Sequence, residues 1–563
     1  MSVQAAYADY RTGRLAAAET KLAAHLLRAP EDASALQLAA MVANASGRPG
    51  VALRRVEASL RDPANAHEKL NLAGNILKAL GEDLRAADAY TQALDRAPGY
   101  DVARTNLAAL LLATGRPVQA LPHFEALAGV ERNAAAIARG RLQALLDIGR
   151  AEDALAAAAT AALPADERAA FRARALFALH RFDPALGEAT RTIGDTPSGT
   201  RSFKLALQTL AMTGTWDAVA RPLIDDVIAR HPDSDGLHAA AIAALHRAGE
   251  TTRAKALFDR SPRGAGSLAA RAALAVAESE FALAESFALD ALALANGFPA
   301  AMMQLCFASL GLGPLDPAKY DQAQSVADLG LKADPNNQLY YAVKATAGRA
   351  KGQDYGYYFD YGRFVRAFDI PAPDGWASVS AFNAALKAEL DALHTFQNAP
   401  LDQTLRGGTQ TSPNLVHAST PAIRAYFQAI RPAIQTYVDA LPHDAAHPFL
   451  RRNAGGFHIR SGWSVRLRGG GHHVNHVHPE GWISSAYYVD VPKTQGRAGR
   501  IAFGAPPDTI ARALGQAPEH EVKPKAGRLV LFPSYLWHGT VPIPQGTTRM
   551  TLPIDIMPAP PGA

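Results

Sequence analysis

Histidines cluster in the last quarter of the chain at a spacing that suits a metal ion. The segment HHVNHVHPE places four histidines and Glu480 within nine positions, 472–480. Side chains two positions apart share one face of an extended strand, so His476 and His478 project together. Glu480 comes next in line if the strand continues past Pro479. Two imidazoles on one face form half of a metal site, and a further ligand must come from another strand.

His538 is the candidate for that further ligand. It follows the strongly apolar segment GRLVLFPSYLW, which a roll of strands would bring alongside the first two histidines. Downstream, Arg549 and Thr551 form another alternate pair. A guanidinium beside a hydroxyl suits a dicarboxylate, because arginine offers charge-assisted bidentate hydrogen bonds. We interpret His472 and His473 as groups that flank the metal site.

Short strands are expected to carry these residues. The segments FHIRSGWSVRLR, HHVNHVH, WISSAYYVDV, GRIAFG, GRLVLFP and RMTLPIDIM are separated by glycine and proline, which is typical of strands joined by turns. They predict an all-β jelly-roll domain over residues 446–563. Upstream, 349–445 is predicted to be a linker with helices at 378–396 and 420–440 that support the barrel, and QTLRGGTQTSPN between them is predicted to be a loop.

The first half of the chain is rich in alanine and leucine and repeats itself. Five glycines are each 34 residues apart, as turn glycines between paired helices should be: Gly13, Gly47, Gly81, Gly115 and Gly149. Later turns are expected at Gly214 and Gly249. The pattern resembles tetratricopeptide repeats and predicts an all-α solenoid over residues 1–348. Such a solenoid can bind a peptide or a protein in its groove, or can serve only as a packing scaffold.

The composition excludes several other classes of protein. Cys306 is the only cysteine, so neither an intramolecular disulfide nor a cysteine-rich zinc site can form. The net charge is +5 with interleaved acidic and basic residues, and nucleic-acid binding is not indicated. No apolar run of about 18 residues occurs, and the amino terminus lacks the apolar core of a signal peptide. We therefore predict a cytoplasmic protein without a membrane segment.

The order of the carboxy-terminal motifs resembles that of a known enzyme family. HxH, then YYV, then a distal His and RxT are similar to the HxD…H…RxS signature of iron and 2-oxoglutarate dependent oxygenases. The segments QTLRGGTQT, WSVRL, HVHPEGWISSAYYV and LVLFPSYLWHGTVP together resemble 2OG-Fe(II) oxygenases of bacteria and phages that often follow tetratricopeptide repeats. The resemblance covers roughly residues 400–557 and implies a double-stranded β-helix fold with Fe(II) and 2-oxoglutarate as cofactors.

The resemblance also implies roles for individual residues. His476 and His538 match the two histidine ligands of the family, and Arg549 matches the arginine that binds the far carboxylate of 2-oxoglutarate. Thr551 lies beside it, and Tyr488 is expected to be a further hydrogen-bond donor. The implied activity is a dioxygenase that hydroxylates a side chain of a protein or peptide supplied by the repeats.

This sequence departs from the family pattern at His478, where the family at large has Asp or Glu. Two histidines and one carboxylate form the usual facial triad for oxygen-activating non-haem Fe(II). The third place is therefore open to His478, to Glu480 or to water. Two other functions also stay open: a three-histidine cupin metalloprotein that does not use 2-oxoglutarate, and a tetratricopeptide scaffold with a catalytically silent barrel.

Overall fold

The computed structural model describes residues 3–412, 414–493 and 495–561. The chain divides into two compact units, Met1–Ala144 with Ala333–Pro335 and Leu145–Lys332 with Asn336–Ala563. A helical region precedes antiparallel sheets. The predicted fold class, an all-α repeat region followed by an all-β jelly-roll domain with flanking helices, is confirmed.

Consecutive short helices fill the chain as far as residue 350, with a π-helical turn at Trp216–Ala220. The helices are α1 Val3–Arg11, α2 Leu15–Leu26, α3 Ala33–Ala45, α4 Pro49–Ser59, α5 Ala66–Ala79, α6 Asp83–Arg96, α7 Asp101–Ala113, α8 Pro117–Ala126, α9 Ala134–Asp147, α10 Ala151–Thr160, α11 Ala165–Ala178, α12 Phe182–Arg191, α13 Pro197–Met212, α14 Arg221–Arg230, α15 Asp235–Arg247, α16 Thr251–Asp259, α17 Ala265–Ala277, α18 Phe281–Leu294, α19 Pro299–Leu312, α20 Ala318–Ala333 and α21 Gln338–Ala350.

The repeating glycines end helices. All seven predicted turn glycines have a positive φ between 71° and 85°, a conformation that costs glycine little because it has no Cβ. The turn positions predicted from the 34-residue spacing are thus confirmed. Cys306 is fully buried in α19. Among the described residues, none of the helices combines the length and apolar character needed to cross a bilayer.

Beyond residue 350, the described part of the chain contains five further helices and eleven strands. The helices are α22 Tyr361–Phe364, α23 Val379–Leu393, α24 Pro421–Ala429, α25 Arg431–Asp439 and α26 Asp508–Leu514, with 3-10 turns at Leu415–His417 and Leu450–Arg452. The strands are β1 Arg366–Asp369, β2 Leu405–Gln410, β3 Gly456–Gly462, β4 Val465–His473, β5 Ile483–Asp490, β6 Ile501–Phe503, β7 His520–Val522, β8 Arg528–Pro533, β9 His538–Thr540, β10 Thr548–Thr551 and β11 Ile554–Ala559.

These strands form two antiparallel sheets. In the larger sheet, β10 and β11 follow each other along one edge of β5, and they pair on their other side with β4 and β3, respectively. Strands β8 and β1 extend this sheet beyond β5, and β2 extends it beyond β4. The smaller sheet has the order β7-β6-β9, and an isolated bridge joins His476 to His538 at its edge.

Two local expectations were wrong. The segment predicted to be a loop contains β2, so the larger sheet takes β1 and β2 from residues 349–445. The histidine-rich segment is not a continuous strand, because β4 ends at His473 and only His476 is bridged beyond it. The predicted domain boundaries at 348 and 445 are not tested by these strands and stay a prediction.

The last repeat helices support the strand that carries His538. The indole Nε1 of Trp537 donates a hydrogen bond of 2.8 Å to Oγ1 of Thr346 in α21. The Trp537 ring lies 6.4 Å from that of Phe307 in α19, and both Trp537 and Thr346 are 1% exposed. Arg349 in α21 donates to the Gly504 carbonyl at 2.9 Å. A helix of the repeat region, α21, therefore packs against the barrel next to His538.

A second contact lies just before β2. Phe396 packs among the rings of Phe177, His180 and Phe182 at centroid distances of 5.0–6.1 Å. The next residue, Gln397, donates its backbone N–H to the Met212 carbonyl at 2.9 Å. The repeat helices thus contact the carboxy-terminal region at two places, beside His538 and just before β2.

We expect Thr346→Val to lower the free energy of unfolding by about 1–3 kcal/mol, because the buried indole N–H of Trp537 loses its acceptor. The measurement is denaturant unfolding followed by tryptophan fluorescence. Thr190→Val is the matched control, since the half-buried Thr190 also bonds the carbonyl four residues back but accepts from no indole. Equal losses in the two variants would contradict a supporting role for Thr346.

Candidate metal and co-substrate site

Three imidazoles meet at the edge of the smaller sheet. One ring nitrogen from each of His476, His478 and His538 lies within 4.8 Å of the others. His476 and His538 exchange backbone hydrogen bonds of 2.9 and 3.0 Å, which holds their ring centroids 4.2 Å apart. The Nε2 atoms of His476 and His478 are 3.3 Å apart. The structure therefore brings together the three histidines that the sequence singles out.

Backbone carbonyls fix the tautomers of two rings. Nδ1 of His476 lies 2.9 Å from the Val474 carbonyl, and Nδ1 of His538 lies 2.9 Å from the Leu536 carbonyl. A carbonyl only accepts, so each Nδ1 must carry the hydrogen, and Nε2 keeps its lone pair. Burial lowers the pKa of His476 to about 3 and lowers that of His538 well below its ordinary value. Both rings are therefore neutral near pH 7 and able to bind a metal.

The third ring is held by a carboxylate that the sequence analysis missed. Nδ1 of His478 lies 2.6 Å from Oδ1 of Asp555 on β11, and the same oxygen accepts a 3.1 Å bond from Ser484. Burial opposes the charged form of His478, but Asp555 outweighs this and raises its pKa. The one sequence feature that could have indicated it is that Asp555 is the single acidic residue in the apolar segment PIDIM.

Glu480 is placed away from the three histidines. Its side chain is 74% exposed and pairs with Arg460 at 2.5 Å. His472 bonds the Gly470 carbonyl through Nδ1 and is not part of the cluster. His473 lines the same cavity as the cluster, with its Nδ1 3.1 Å from Oγ1 of Thr404.

A buried cation lies in this cavity. Arg549 is 4% exposed and donates to the Gly499 carbonyl at 2.9 Å, but its Nε has no hydrogen-bond partner. Among the described residues no carboxylate pairs with it. Burial without an anion is costly, and it lowers the pKa of Arg549. The guanidinium carbon lies 5.6 Å from the ring centre of Tyr488.

Tyr488 and Thr551 complete the polar part of the cavity. They are paired across β5 and β10, and both line the cavity with Arg549. The Tyr488 hydroxyl is buried without a partner. The cavity encloses about 480 Å³, part of it open to solvent. Trp463 also lines it, with its ring 6.0 Å from that of His478, whereas Trp482 and Trp537 are core residues.

The residues present fit a metal ion and an anion side by side. Three converging imidazole lone pairs suit a divalent transition metal with open positions. Arg549, whose Nε has no partner, and Tyr488, whose hydroxyl has none, both line this cavity, and a carboxylate suits such a pair of donors. A jelly roll with this arrangement suits a non-haem metal oxygenase that binds a keto-acid co-substrate.

The comparison with known families supports this class. Residues 461–555 match the model of a family described as "Putative 2OG-Fe(II) oxygenase". The matched segment contains all three clustered histidines, Arg549 and Asp555. The chain thus combines a helical-repeat region with a carboxy-terminal segment that matches this 2OG-Fe(II) oxygenase family, and the recognition made from its sequence is confirmed.

Solved structures similar to this chain include proteins of both kinds. A tetratricopeptide repeat protein from Parabacteroides merdae is 16% identical, with 43% of this chain and 98% of that chain covered and a TM-score of 0.27. A prolyl-4-hydroxylase from Pseudomonas putida is 18% identical, with 36% and 96% covered and a TM-score of 0.24. Among curated proteins, none matches this chain.

We expect His476→Ala and His538→Ala each to weaken Fe(II) binding by more than about 100-fold. Loss of a residue that only orients a metal ligand weakens metal binding about 10- to 100-fold, and loss of the ligand itself should weaken it more. Anaerobic calorimetric titration of the metal measures this. His472→Ala is the control in the same segment and should bind as the wild type does. Wild-type affinity in both ligand variants would rule out this metal site.

Proposed function

We propose that this protein is an Fe(II)- and 2-oxoglutarate-dependent dioxygenase that hydroxylates a side chain of a protein or peptide recruited by its repeats. One observation carries the proposal: three imidazole lone pairs converge in a cavity that also holds a buried arginine without an anionic partner. Packing alone does not explain the arginine, since a buried polar group without a partner destabilises a fold.

His476, His478 and His538 would hold the iron. When bound, Fe(II) with dioxygen supplies oxidative decarboxylation of 2-oxoglutarate to succinate and CO₂, with one oxygen atom inserted into a substrate C–H bond. The chain contributes the geometry: each Nδ1 has a hydrogen-bond partner, which leaves the Nε2 atoms of the three clustered rings to hold the metal. Three protein ligands leave positions open for the keto acid and oxygen.

Arg549, Thr551 and Tyr488 would bind the far carboxylate of 2-oxoglutarate. The guanidinium can offer its free Nε–H to the carboxylate, and the Tyr488 hydroxyl can offer a second donor. Because Arg549 is buried, water screens such a charge pair little. Arg549 is already buried, and a bound carboxylate would give it an anionic partner.

The repeats are proposed to deliver the substrate. Stacked helical repeats present long surfaces that suit peptides and proteins. In this chain the last repeat helix packs directly behind the His538 strand, so a polypeptide held on nearby helices would be at high effective concentration at the barrel. This geometry favours a macromolecular substrate over a small molecule.

A three-histidine cupin metalloprotein that does not use 2-oxoglutarate is the second candidate. The observation in its favour is that no carboxylate is among the three clustered side chains. The two candidates differ in what they require of Arg549, since only the oxygenase needs it for turnover.

We expect Arg549→Ala to raise the KM for 2-oxoglutarate at least about 100-fold, because each charge-assisted hydrogen bond contributes about 1.5–3 kcal/mol. Tyr488→Phe should raise it about 10-fold, through one such bond. Succinate formation measures both effects. Fe(II) affinity should not change in either variant, and Arg468→Ala, an exposed arginine on β4, serves as the control. Turnover that ignores Arg549 would favour the cupin candidate.

The substrate class can be tested with ¹⁸O₂. Wild-type protein, Fe(II) and 2-oxoglutarate are incubated with a proteome extract, and peptides are analysed by mass spectrometry. We expect ¹⁸O in specific side chains with the wild type and none with His538→Ala. Labelled small molecules without any labelled peptide would contradict a protein substrate while leaving the dioxygenase proposal intact.

A further inference from the structure

His478 takes the position at which the family pattern has Asp or Glu, and the carboxylate of Asp555 contacts the far side of its ring. Oδ1 of Asp555 is 2.6 Å from Nδ1 of His478, on the side of the ring opposite the metal-facing Nε2. The two side chains are only 18% and 16% exposed. A contact this short and this sheltered differs from an exposed ion pair, which contributes little.

We propose that Asp555 is a positioning residue that supplies through His478 the negative charge which a ligand carboxylate would supply directly. This inference rests on the proposed iron site. A metal-binding histidine whose other ring nitrogen donates to a carboxylate is a better electron donor and has a fixed ring orientation. A histidine thus takes the place of the ligand carboxylate, and a carboxylate is hydrogen-bonded to the far nitrogen of that histidine.

The surroundings hold both members of the pair in place. The backbone N–H of His478 donates to the Ser534 carbonyl at 3.0 Å, which fixes the main chain. The hydroxyl of Ser484 donates to Oδ1 of Asp555 at 3.1 Å and is itself 2.9 Å from the Ser534 hydroxyl. Asp555 is also bound in the sheet, opposite Ser484 on β5 and Ser461 on β3. The ring of His478 is therefore oriented before any metal binds.

The other nearby carboxylate does not have this role. Glu480 is two residues from His478, but its side chain is largely exposed and pairs with Arg460. The two acidic residues thus form a matched pair for experiment, since both carry one negative charge near the site and only Asp555 touches a histidine of the cluster.

The first test compares Asp555→Asn with Glu480→Gln in the full-length protein. We expect the Asp555 variant to bind Fe(II) about 10- to 100-fold more weakly under anaerobic conditions, as loss of an outer partner of a ligand does, and the Glu480 variant to bind as the wild type. The visible d–d spectrum of the Co(II)-loaded protein should also shift only in the Asp555 variant. A purely structural role would change stability without changing this spectrum.

A double-variant cycle makes the inference sharper. His478→Glu places a carboxylate at the ligand position, facing Asp555, and the two like charges should repel. In that background Asp555→Asn should strengthen Fe(II) binding, whereas in the wild-type background it weakens binding. Ser484→Ala provides a milder change, with an expected loss of a few fold, if Asp555→Asn does not fold.

The outcomes separate this inference from the proposed function. Wild-type Fe(II) affinity and an unshifted Co(II) spectrum in Asp555→Asn would overturn the role of Asp555 alone, as would an effect of the same sign in both backgrounds. A wild-type protein that binds no Fe(II) would overturn the iron site and this inference with it.

Discussion

The site depends on one constraint: three clustered imidazoles must each keep a ring nitrogen available to one metal ion. An imidazole that is neutral carries one hydrogen, and the fold must give that hydrogen an acceptor on the far side of the ring. The Val474 and Leu536 carbonyls and the Asp555 carboxylate are these acceptors. If one of them were absent, a ring could turn or change tautomer and point an N–H at the metal position.

The arrangement of the strands follows from this requirement. The paired backbones of His476 and His538 set the spacing of two rings, and β11 brings Asp555 to the third. The larger sheet then closes the cavity with Arg549, whose Nε lacks a hydrogen-bond partner, and with Tyr488, whose hydroxyl lacks one. The barrel is completed from outside by α19 and α21, whose side chains cover Trp537 next to His538. The repeat region is therefore part of the support of the site.

The sequence predicts those features that depend on local geometry. The repeats are visible because turn glycines recur at a fixed spacing from Gly13 to Gly149, and the alternation of side chains along a strand pairs Arg549 with Thr551. The three histidines can be assembled because the distal one follows a strongly apolar strand. The predicted positions of His476, His478 and His538 in one cluster agree with the structure.

Other features depend on contacts between distant segments and could not be predicted. Strand β2 contains Gly407 and Gly408, which suggest a turn, yet a Cβ at Gly408 would lie 2.4 Å from the Arg466 carbonyl oxygen, so the glycine allows close pairing with β4. Asp555 lies far along the chain from its partner His478, and only the pairing of β11 with β5 brings them together. Glu480 was a candidate by spacing alone, but the turn after Pro479 directs it to Arg460.

The central claim is that one cavity binds Fe(II) and 2-oxoglutarate together. The most direct measurement is an anaerobic titration of 2-oxoglutarate into the Fe(II)-loaded protein, followed by visible absorption, because chelation by the keto acid produces a weak metal-to-ligand charge-transfer band. The account predicts a saturable band in the wild-type protein and none in His538→Ala. A wild-type protein that binds Fe(II) but develops no band at saturating 2-oxoglutarate would contradict it.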